Sequence, residues 1–418
     1  MARSLSLPVR RALLVVVILG AWKTPVALGQ ANGGRIDVEQ DRNRMVDIDI
    51  VGAGVKNPAV IASMRKTPRH EFVPAGERDN AYYDMALPIG AGQTISPPYI
   101  VAYMTEQLEP EPTDKVLEIG TGSGFQAAVL SPLVDKVYSI EIVEALGKRA
   151  ASTLRRLKYT NVTTKVDDGY KGWAEYAPFD KIIVTCSPED IPQPLIDQLK
   201  EGGRMIIPRG QRYQQVLYLF RKEDGKMVSE ALCPTLFVPM TGTAEDNRQV
   251  KPDPLHPAIV NGDFEEALGQ TEEPRGWHYL RQGELTGGAP QGKHALTFIN
   301  AAPGRGSQAL QAFPVDGRKV DQLDISAWVR AKDAKSGQNA EQLPMVAITF
   351  YDQRRAMVGQ RGLGPWQGTF NWKHEHTRVR VPTAAREAIV RVGLLGGVGE
   401  VSFDDVQVRA VSAKDGDK

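Results

Sequence analysis

Between residues 115 and 220, short apolar runs alternate with longer amphipathic stretches. The runs at 116–119, 137–140, 162–166, 181–184 and 204–207 have the length and β-branched content of buried strands, and 124–133, 142–157 and 191–200 carry helical spacing between them. That rhythm predicts an α/β domain with a doubly wound parallel sheet. Residues 215–220 read as a late strand without a further crossover helix, which predicts an antiparallel pairing. Residues near 35 to 75 show further helical spacing.

The pattern changes in the second half. Residues 252–257 hold Pro252, Pro254 and Pro257, which disfavour both helix and central strand, so a linker is predicted over 243–257 between a domain at 31–242 and another at 258–411. In the latter, 323–329, 348–350, 379–381 and 401–408 alternate every second residue, as half-buried antiparallel strands of an all-β sandwich do. Residues 412–418 are left as a tail.

The first thirty residues differ from both. Arg3, Arg10 and Arg11 precede an apolar run at 12–21, followed by Lys23, Thr24-Pro25 and Ala27-Leu28-Gly29, the layout of a secretory signal peptide over 1–30. The run is about half of the roughly 20 apolar residues that a spanning helix needs. The expectation is export to a periplasmic, cell-surface or secreted location, with no stable membrane span after cleavage. An uncleaved anchor is the competing reading, and a signal that does not function would leave the protein cytoplasmic.

Composition narrows the classes. With 42% hydrophobic and 24% charged residues the 418-residue chain resembles soluble globular proteins and is long enough for two cores. A net charge of +1 supplies no global attraction to nucleic acid, and no nucleic-acid partner is expected. Cys186 closes an apolar run and Cys233 lies near a proline; both read as buried thiols, with a disulfide left open.

Candidate chemistry gathers at predicted strand ends. The strand at 116–119 runs into Gly120-Thr-Gly122-Ser-Gly124, a loop that lets backbone turn sharply and approach a ligand just before a helix N-terminus. Its G-x-G-x-G spacing departs from the dinucleotide fingerprint, and alone it reads equally as a turn. The next strand ends at Glu141, about 20 residues on, where a carboxylate accepts hydrogen bonds from ribose hydroxyls. Asp167-Asp168-Gly169 follows the third, with an acid suited to an adenine amino group. Successive strand ends converging on one crevice favour a nucleoside cofactor.

The stretch Ala86-Leu-Pro-Ile-Gly-Ala-Gly92-Gln-Thr-Ile-Ser96, with Pro98-Tyr-Ile-Val-Ala102 and Met104-Thr-Glu106 behind it, resembles the signature of protein-L-isoaspartate O-methyltransferases. The likeness continues through the glycine loop, Tyr138–Glu141, Asp168–Trp173, Ala177–Asp180, Ile182–Thr185, Gly202–Met205 and Phe237–Thr241, covering roughly residues 55 to 242. It implies a Rossmann-like methyltransferase sheet, S-adenosyl-L-methionine as methyl donor and isoaspartyl residues of damaged proteins or peptides as acceptors. By position it implies Ser96 as the active-site serine. Thr94 and Ile95 would border donor and acceptor, Glu118, Gly120, Gly122 and Gly124 the methionine side, Glu141, Asp168 and Gly169 the nucleoside, with Thr241 beside them. No metal is implied for this site. A carboxylate with a pKa near 4 is already an anionic nucleophile at neutral pH, so Ser96 is expected to orient it rather than to form a covalent bond. Two departures stand out: Asp167 where many members carry glycine, and Pro97 beside the serine.

The opening Ile259-Val-Asn-Gly-Asp-Phe-Glu265 with Gly276-Trp277, and the closing Gly399–Val408, resemble galactose-binding-like jelly rolls of carbohydrate-binding modules. That implies a glycan partner; in such folds acidic residues near the domain ends can bind a structural Ca²⁺, although carboxylates at strand ends are more often simply solvated. Trp277, Trp328, Trp366 and Trp372 are candidates for a stacking platform or for core. His374 and His376 share a strand face, but zinc would need further ligands. The competing function is an exported surface- or glycan-binding protein whose methyltransferase domain is vestigial or has another specificity.

Overall fold

The computed structural model describes residues 38–269 and 272–411. The predicted signal peptide and the tail at 412–418 lie outside the described residues. Among the described residues no helix is long and apolar enough to cross a membrane.

The chain opens with α1 (Val38–Arg44), which passes directly into a π-helical turn at Met45–Val51. Helix α2 (Pro58–Lys66) follows, its start fixed by Asn57, whose side-chain oxygen accepts from the Ala59 and Val60 amides at 2.9 and 3.3 Å. A small hairpin of β1 (Leu87–Gly90) and β2 (Gln93–Ile95) then leads into α3 (Pro98–Leu108).

The predicted alternation follows: β3 (Lys115–Ile119), α4 (Phe125–Leu130), β4 (Lys136–Glu141), α5 (Glu144–Arg156), β5 (Val162–Val166), β6 (Phe179–Val184), α6 (Gln193–Gln198) and β7 (Leu199–Gln211). Strands β8 (Gln214–Glu223) and β9 (Lys226–Thr235) complete a seven-stranded sheet in the order β5-β4-β3-β6-β7-β8-β9. Pairing is parallel from β5 to β7 and antiparallel from β7 to β9. Both faces of the central parallel strands β4, β3, β6 and β7 are buried, whereas the edge strand β5 is half-exposed. Val116, Val137, Ile183 and Ile206 join one core with residues from α2 to α5, while Leu117, Ile119, Ile182, Val184, Met205 and Ile207 join a second core.

Three expectations shift. Ser131-Pro132 ends α4 in a 3₁₀ turn at Ser131–Leu133, because proline cannot continue the helical ladder. Helix α6 stops at Gln198, because Leu199 pairs with Phe179 and the Gln198 side chain is engaged with the Trp173 amide and the Lys171 carbonyl. Strand β9 was not anticipated; its residues 229–231 are exposed and carry no apolar alternation.

The linker also starts later than 243. Residues 243–246 form α7 (Thr243–Asp246), and Arg248, only 4% exposed, donates to Glu245 at 2.8 Å and to the Gly210 and Ser187 carbonyls at 3.2 Å. A buried guanidinium must be paired, and its partners bind this segment to the sheet domain. The proline-rich residues 251–257 remain without helix or strand.

The C-terminal region holds two five-stranded antiparallel sheets. One contains β10 (His278–Arg281), β13 (Gln308–Pro314), β15 (Met345–Tyr351), β16 (Met357–Leu363) and β18 (Glu387–Gly393). The other contains β11 (Gly283–Gly287), β12 (His294–Asn300), β14 (Gln322–Lys335), β17 (Gly368–Arg380) and β19 (Val398–Ala410). Side chains from both form a single core that includes Phe298, Phe313, Phe350 and Phe403. Trp277 and Trp366 belong to that core, whereas Trp328 and Trp372 are half-buried on the strands β14 and β17.

Phe403 is fully buried, with ring centroids of Phe298 and Trp366 at 6.3 and 5.8 Å. Phe403→Ala is expected to lower the stability of this region by about 3–5 kcal/mol. Urea unfolding followed by tryptophan fluorescence checks it; an unchanged midpoint would show that the ring is not central to the core.

Candidate functional site

The strand order reverses at β3, whose successor β4 lies on one side and whose later neighbour β6 lies on the other. Backbone diverges at such a point, leaving a crevice outside the carboxyl ends of the strands. A cleft sits there, lined by residues from the carboxyl ends of β3, β4 and β6 and from the segment before α3.

Its floor is the loop after β3. Gly120 turns at φ +96°, and a Cβ there would lie 2.6 Å from Thr185 Oγ1. Thr185 cannot move aside freely, since its hydroxyl donates to the Ile119 and Gly120 carbonyls at 3.0 and 2.7 Å. Only glycine satisfies both the left-handed backbone and the close approach. Gly122 donates its amide to Glu141 Oε2 at 2.7 Å, and the Val143 amide donates to Oε1 at 2.9 Å. Glu141 thus reaches the cleft from the end of β4 with its orientation set by two backbone donors.

The front wall is the signature segment. The pairings Leu87↔Ile95 and Pro88↔Thr94 shape it into the β1–β2 hairpin, which brings Thr94, Ile95 and Ser96 to the cleft edge immediately before α3. Pro97 supplies the N-cap position of that helix with φ −53° and ψ 144°, an extended entry that proline tolerates without strain. Gly169 and Thr241 also line the cleft.

Glu118, Gly124 and Asp168 differ from their expected positions and do not line the cleft. Glu118 is fully buried behind the glycine loop, where Oε2 accepts from Ser139 Oγ at 2.5 Å. Burial, reinforced by the nearby Glu141 charge, pushes its carboxyl up to about 8 against the opposing Ser139 hydrogen bond. Gly124 faces Leu154 and Ala150 of α5, so it serves packing. Asp168 turns toward α7, accepting from the Thr243 amide at 3.0 Å, from Thr243 Oγ1 at 2.6 Å and from the Tyr170 amide at 3.0 Å. Burial alone would raise its pKa, but these donors outweigh it and the carboxyl sits below the usual range. Asp167 bonds to Lys165 and to the Asp168 amide, stabilising the turn.

Sequence reasoning missed Thr185, Cys186, Ile142, Gln126 and Met240, all of which line the cleft. Thr185 follows the apolar run at 181–184, and its place at a strand's carboxyl end was the available signal. Buried Gln126 donates to Thr105 at 2.9 Å but leaves Oε1 without a partner, an acceptor suited to a polar ligand. Cys186 and Cys233 are both free, and burial raises both thiols above their usual range.

Residues 40–245 match the family model described as protein-L-isoaspartate(D-aspartate) O-methyltransferase. Protein-L-isoaspartate O-methyltransferase 2 of Syntrophobacter fumaroxidans is 47% identical over 241 residues, 55% of this chain and 96% of that protein. Protein-L-isoaspartate O-methyltransferase of Opitutus terrae is 52% identical over 202 residues, 48% of this chain and 87% of that protein. A solved protein-L-isoaspartate O-methyltransferase superposes with a TM-score of 0.47 at 27% identity, covering 62% of this chain and 85% of that one.

The raised Glu118 carboxyl makes stability depend on pH. Unfolded, the group ionises near 4.5; folded, it keeps its proton to about 8. Between those values the folded state binds the additional proton, so Glu118 makes stability fall as pH rises, by up to about 1.4 kcal/mol per pH unit. Glu118→Gln is expected to flatten that dependence in urea titrations at pH 5 to 8. An identical slope in the variant would show that Glu118 is ionised in the fold.

Proposed function

The chain belongs to the protein-L-isoaspartate(D-aspartate) O-methyltransferase family, and from that premise we propose that it transfers a methyl group from S-adenosyl-L-methionine to the carboxylate of isoaspartyl residues in damaged proteins. The observation that carries this reading is the convergence of the glycine loop, Glu141 and the Thr94–Ser96 segment on one cleft.

The residues present fit the cofactor. The Gly120 turn leaves space that a Cβ would fill, Glu141 presents a carboxylate at the end of β4, and Gln126 offers an unpartnered acceptor. In this reading Gly120 and Gly122 give a close backbone surface to the methionine portion, and Glu141 and Gly169 hold the ribose and adenine. Glu118, Gly124 and Asp168 act one layer back. Glu118 supports the loop, Gly124 seats it against α5, and Asp168 ties α7 to the turn carrying Gly169. Thr94, Ile95 and Thr241 border the reacting groups.

When bound, the sulfonium supplies an activated methyl group. What remains for the protein is alignment and exclusion of water. With Gly120, Gly122 and Glu141 holding the donor, the group would supply its methyl to the isoaspartyl carboxylate, which is already an anion and would need no proton removed. Ser96 donates a hydrogen bond to the carboxylate oxygen that is not attacking, fixing its direction; no general base is required.

Around this activity we propose an exported protein, led by the 1–30 signal, whose residues 258–411 form a jelly roll of carbohydrate-binding type that tethers the enzyme to a glycan-bearing surface. Two opposed antiparallel sheets support that reading, as does the aromatic pair outside their core. Trp372 lies under the Arg330 guanidinium at 5.0 Å, and Trp328 packs on His374 at 5.3 Å. Trp372→Ala is expected to release the protein from the polysaccharide that retains the wild type in affinity electrophoresis; retention of the variant would remove Trp372 from the contact.

The main reading is tested with labelled S-adenosylmethionine, an L-isoaspartyl peptide and its normal aspartyl twin. Label should enter the isoaspartyl peptide alone, with Ser96→Ala reducing kcat by about 10²-fold and Glu141→Gln mainly weakening cofactor binding. Equal labelling of both peptides would point to another acceptor, and cofactor binding without any labelling would favour the vestigial alternative.

A further inference from the structure

Pro97 and Pro98 carry no amide hydrogen, so the first free donor of α3 is the Tyr99 amide. An unsatisfied donor at a helix start needs an acceptor, and an acidic one also favours the positive end of the helix. No side chain at the N-cap position supplies it. Asp84 does so from across the signature loop, accepting from the Tyr99 amide through Oδ1 at 2.9 Å.

The other oxygen of Asp84 faces the C-terminal domain. Arg281, on β10, donates to Oδ2 through Nη2 at 3.1 Å and Nε at 3.4 Å, while its guanidinium lies 4.3 Å from the Tyr99 ring centroid. The two side chains are 22 and 12% exposed, so the pair is screened less than a surface bridge. From inside the methyltransferase domain, fully buried Arg69 donates to the Ala81 and Met85 carbonyls at 2.8 and 3.3 Å on either side of Asp84. The segment preceding the signature is therefore held by one arginine from each domain. Neighbouring contacts join the same two domains: His278 approaches the Tyr213 carbonyl at 3.3 Å, and the Tyr213 hydroxyl donates to Glu387 at 3.2 Å.

We propose that Arg281, outside the family match at 40–245, is a positioning residue for methyl transfer: by holding Asp84 on the Tyr99 amide, it fixes the first turn of α3 and with it Ser96. The C-terminal domain thus completes the acceptor side of the cleft besides any tethering role. Arg281 acts through Asp84 and touches neither reactant. Its effect should fall on the alignment of the acceptor, while the glycine loop and Glu141, held by Thr185 and by backbone donors rather than by Asp84, keep their hold on the cofactor. This inference rests on the methyltransferase reading above.

The test compares the full-length wild type with Arg281→Ala, Arg281→Lys and Asp84→Asn, and with Arg275→Ala as a control at an exposed ion pair with Glu266 in the same region. For each, kcat and KM for an isoaspartyl peptide are measured beside the Kd for S-adenosylhomocysteine. Arg281→Ala is expected to lower kcat/KM about tenfold, since small misplacements of reacting groups have large effects, with the Kd within twofold of wild type. Arg281→Lys should recover part of the loss, and combining Arg281→Ala with Asp84→Asn should add little to the larger single effect. Unchanged kcat/KM in both Arg281 variants overturns the inference. So does an equal loss of cofactor binding, which would mark a merely structural contact. If Arg281→Ala does not fold, Arg281→Lys decides on the same two readouts. A wild type that labels no isoaspartyl peptide overturns the underlying reading and this inference together, whereas an active wild type with indifferent variants overturns this one alone.

Discussion

The approach of the β3 loop to Thr185 is the constraint on which the site depends. Parallel strands β3 and β6 lie side by side, and the chain leaving β3 must cross the end of β6 within van der Waals distance. Gly120 makes that crossing possible, and the Thr185 hydroxyl secures it by bonding to carbonyls on both sides of the turn. Once the loop lies this low, Gly122 meets the Glu141 carboxylate and a concave surface opens above the sheet. A larger residue at 120 would lift the loop into the space assigned to the cofactor.

The acceptor side is organised separately. It consists of a short hairpin and the start of α3, neither of which belongs to the seven-stranded sheet. Such a segment has few ladder hydrogen bonds of its own, so side chains from elsewhere must fix it. Arg69 does this from within the methyltransferase domain and Arg281 from outside it, converging on the residues around Asp84. In the proposed reading, the same division separates cofactor binding, supported by the sheet, from acceptor alignment, supported partly by the C-terminal domain.

Much of this arrangement was legible in the sequence because parallel strands leave long apolar runs and glycine loops leave a spacing. The five parallel strands appear in the predicted places, and Gly120, Gly122 and Glu141 meet as their positions at strand ends imply. What stayed hidden depends on tertiary contact. Strand β9 is exposed over residues 228–231 and its apolar positions do not alternate with polar ones, so no periodicity marks it. Asp168 looked like a ligand because it ends a strand, but Thr243, in residues assigned to a linker, captures its carboxylate. Arg281 lies 197 positions from Asp84, and no local pattern joins them. In the C-terminal domain, alternation marked four of the ten strands, β14, β15, the end of β17 and β19, but could not decide which tryptophans face inward, since a shift of one residue reverses the face.

The most direct measurement of the central claim is calorimetric titration of S-adenosylhomocysteine into the wild type and into Gly120→Ala, with folding of both confirmed by circular dichroism. One site per wild-type chain is expected, with a loss of affinity of about 10²-fold or more in the variant, because its methyl group would meet Thr185 and displace the floor of the cleft. Wild-type affinity in a folded Gly120→Ala protein would contradict this expectation, showing that the close approach of this loop to β6 does not build the cofactor site.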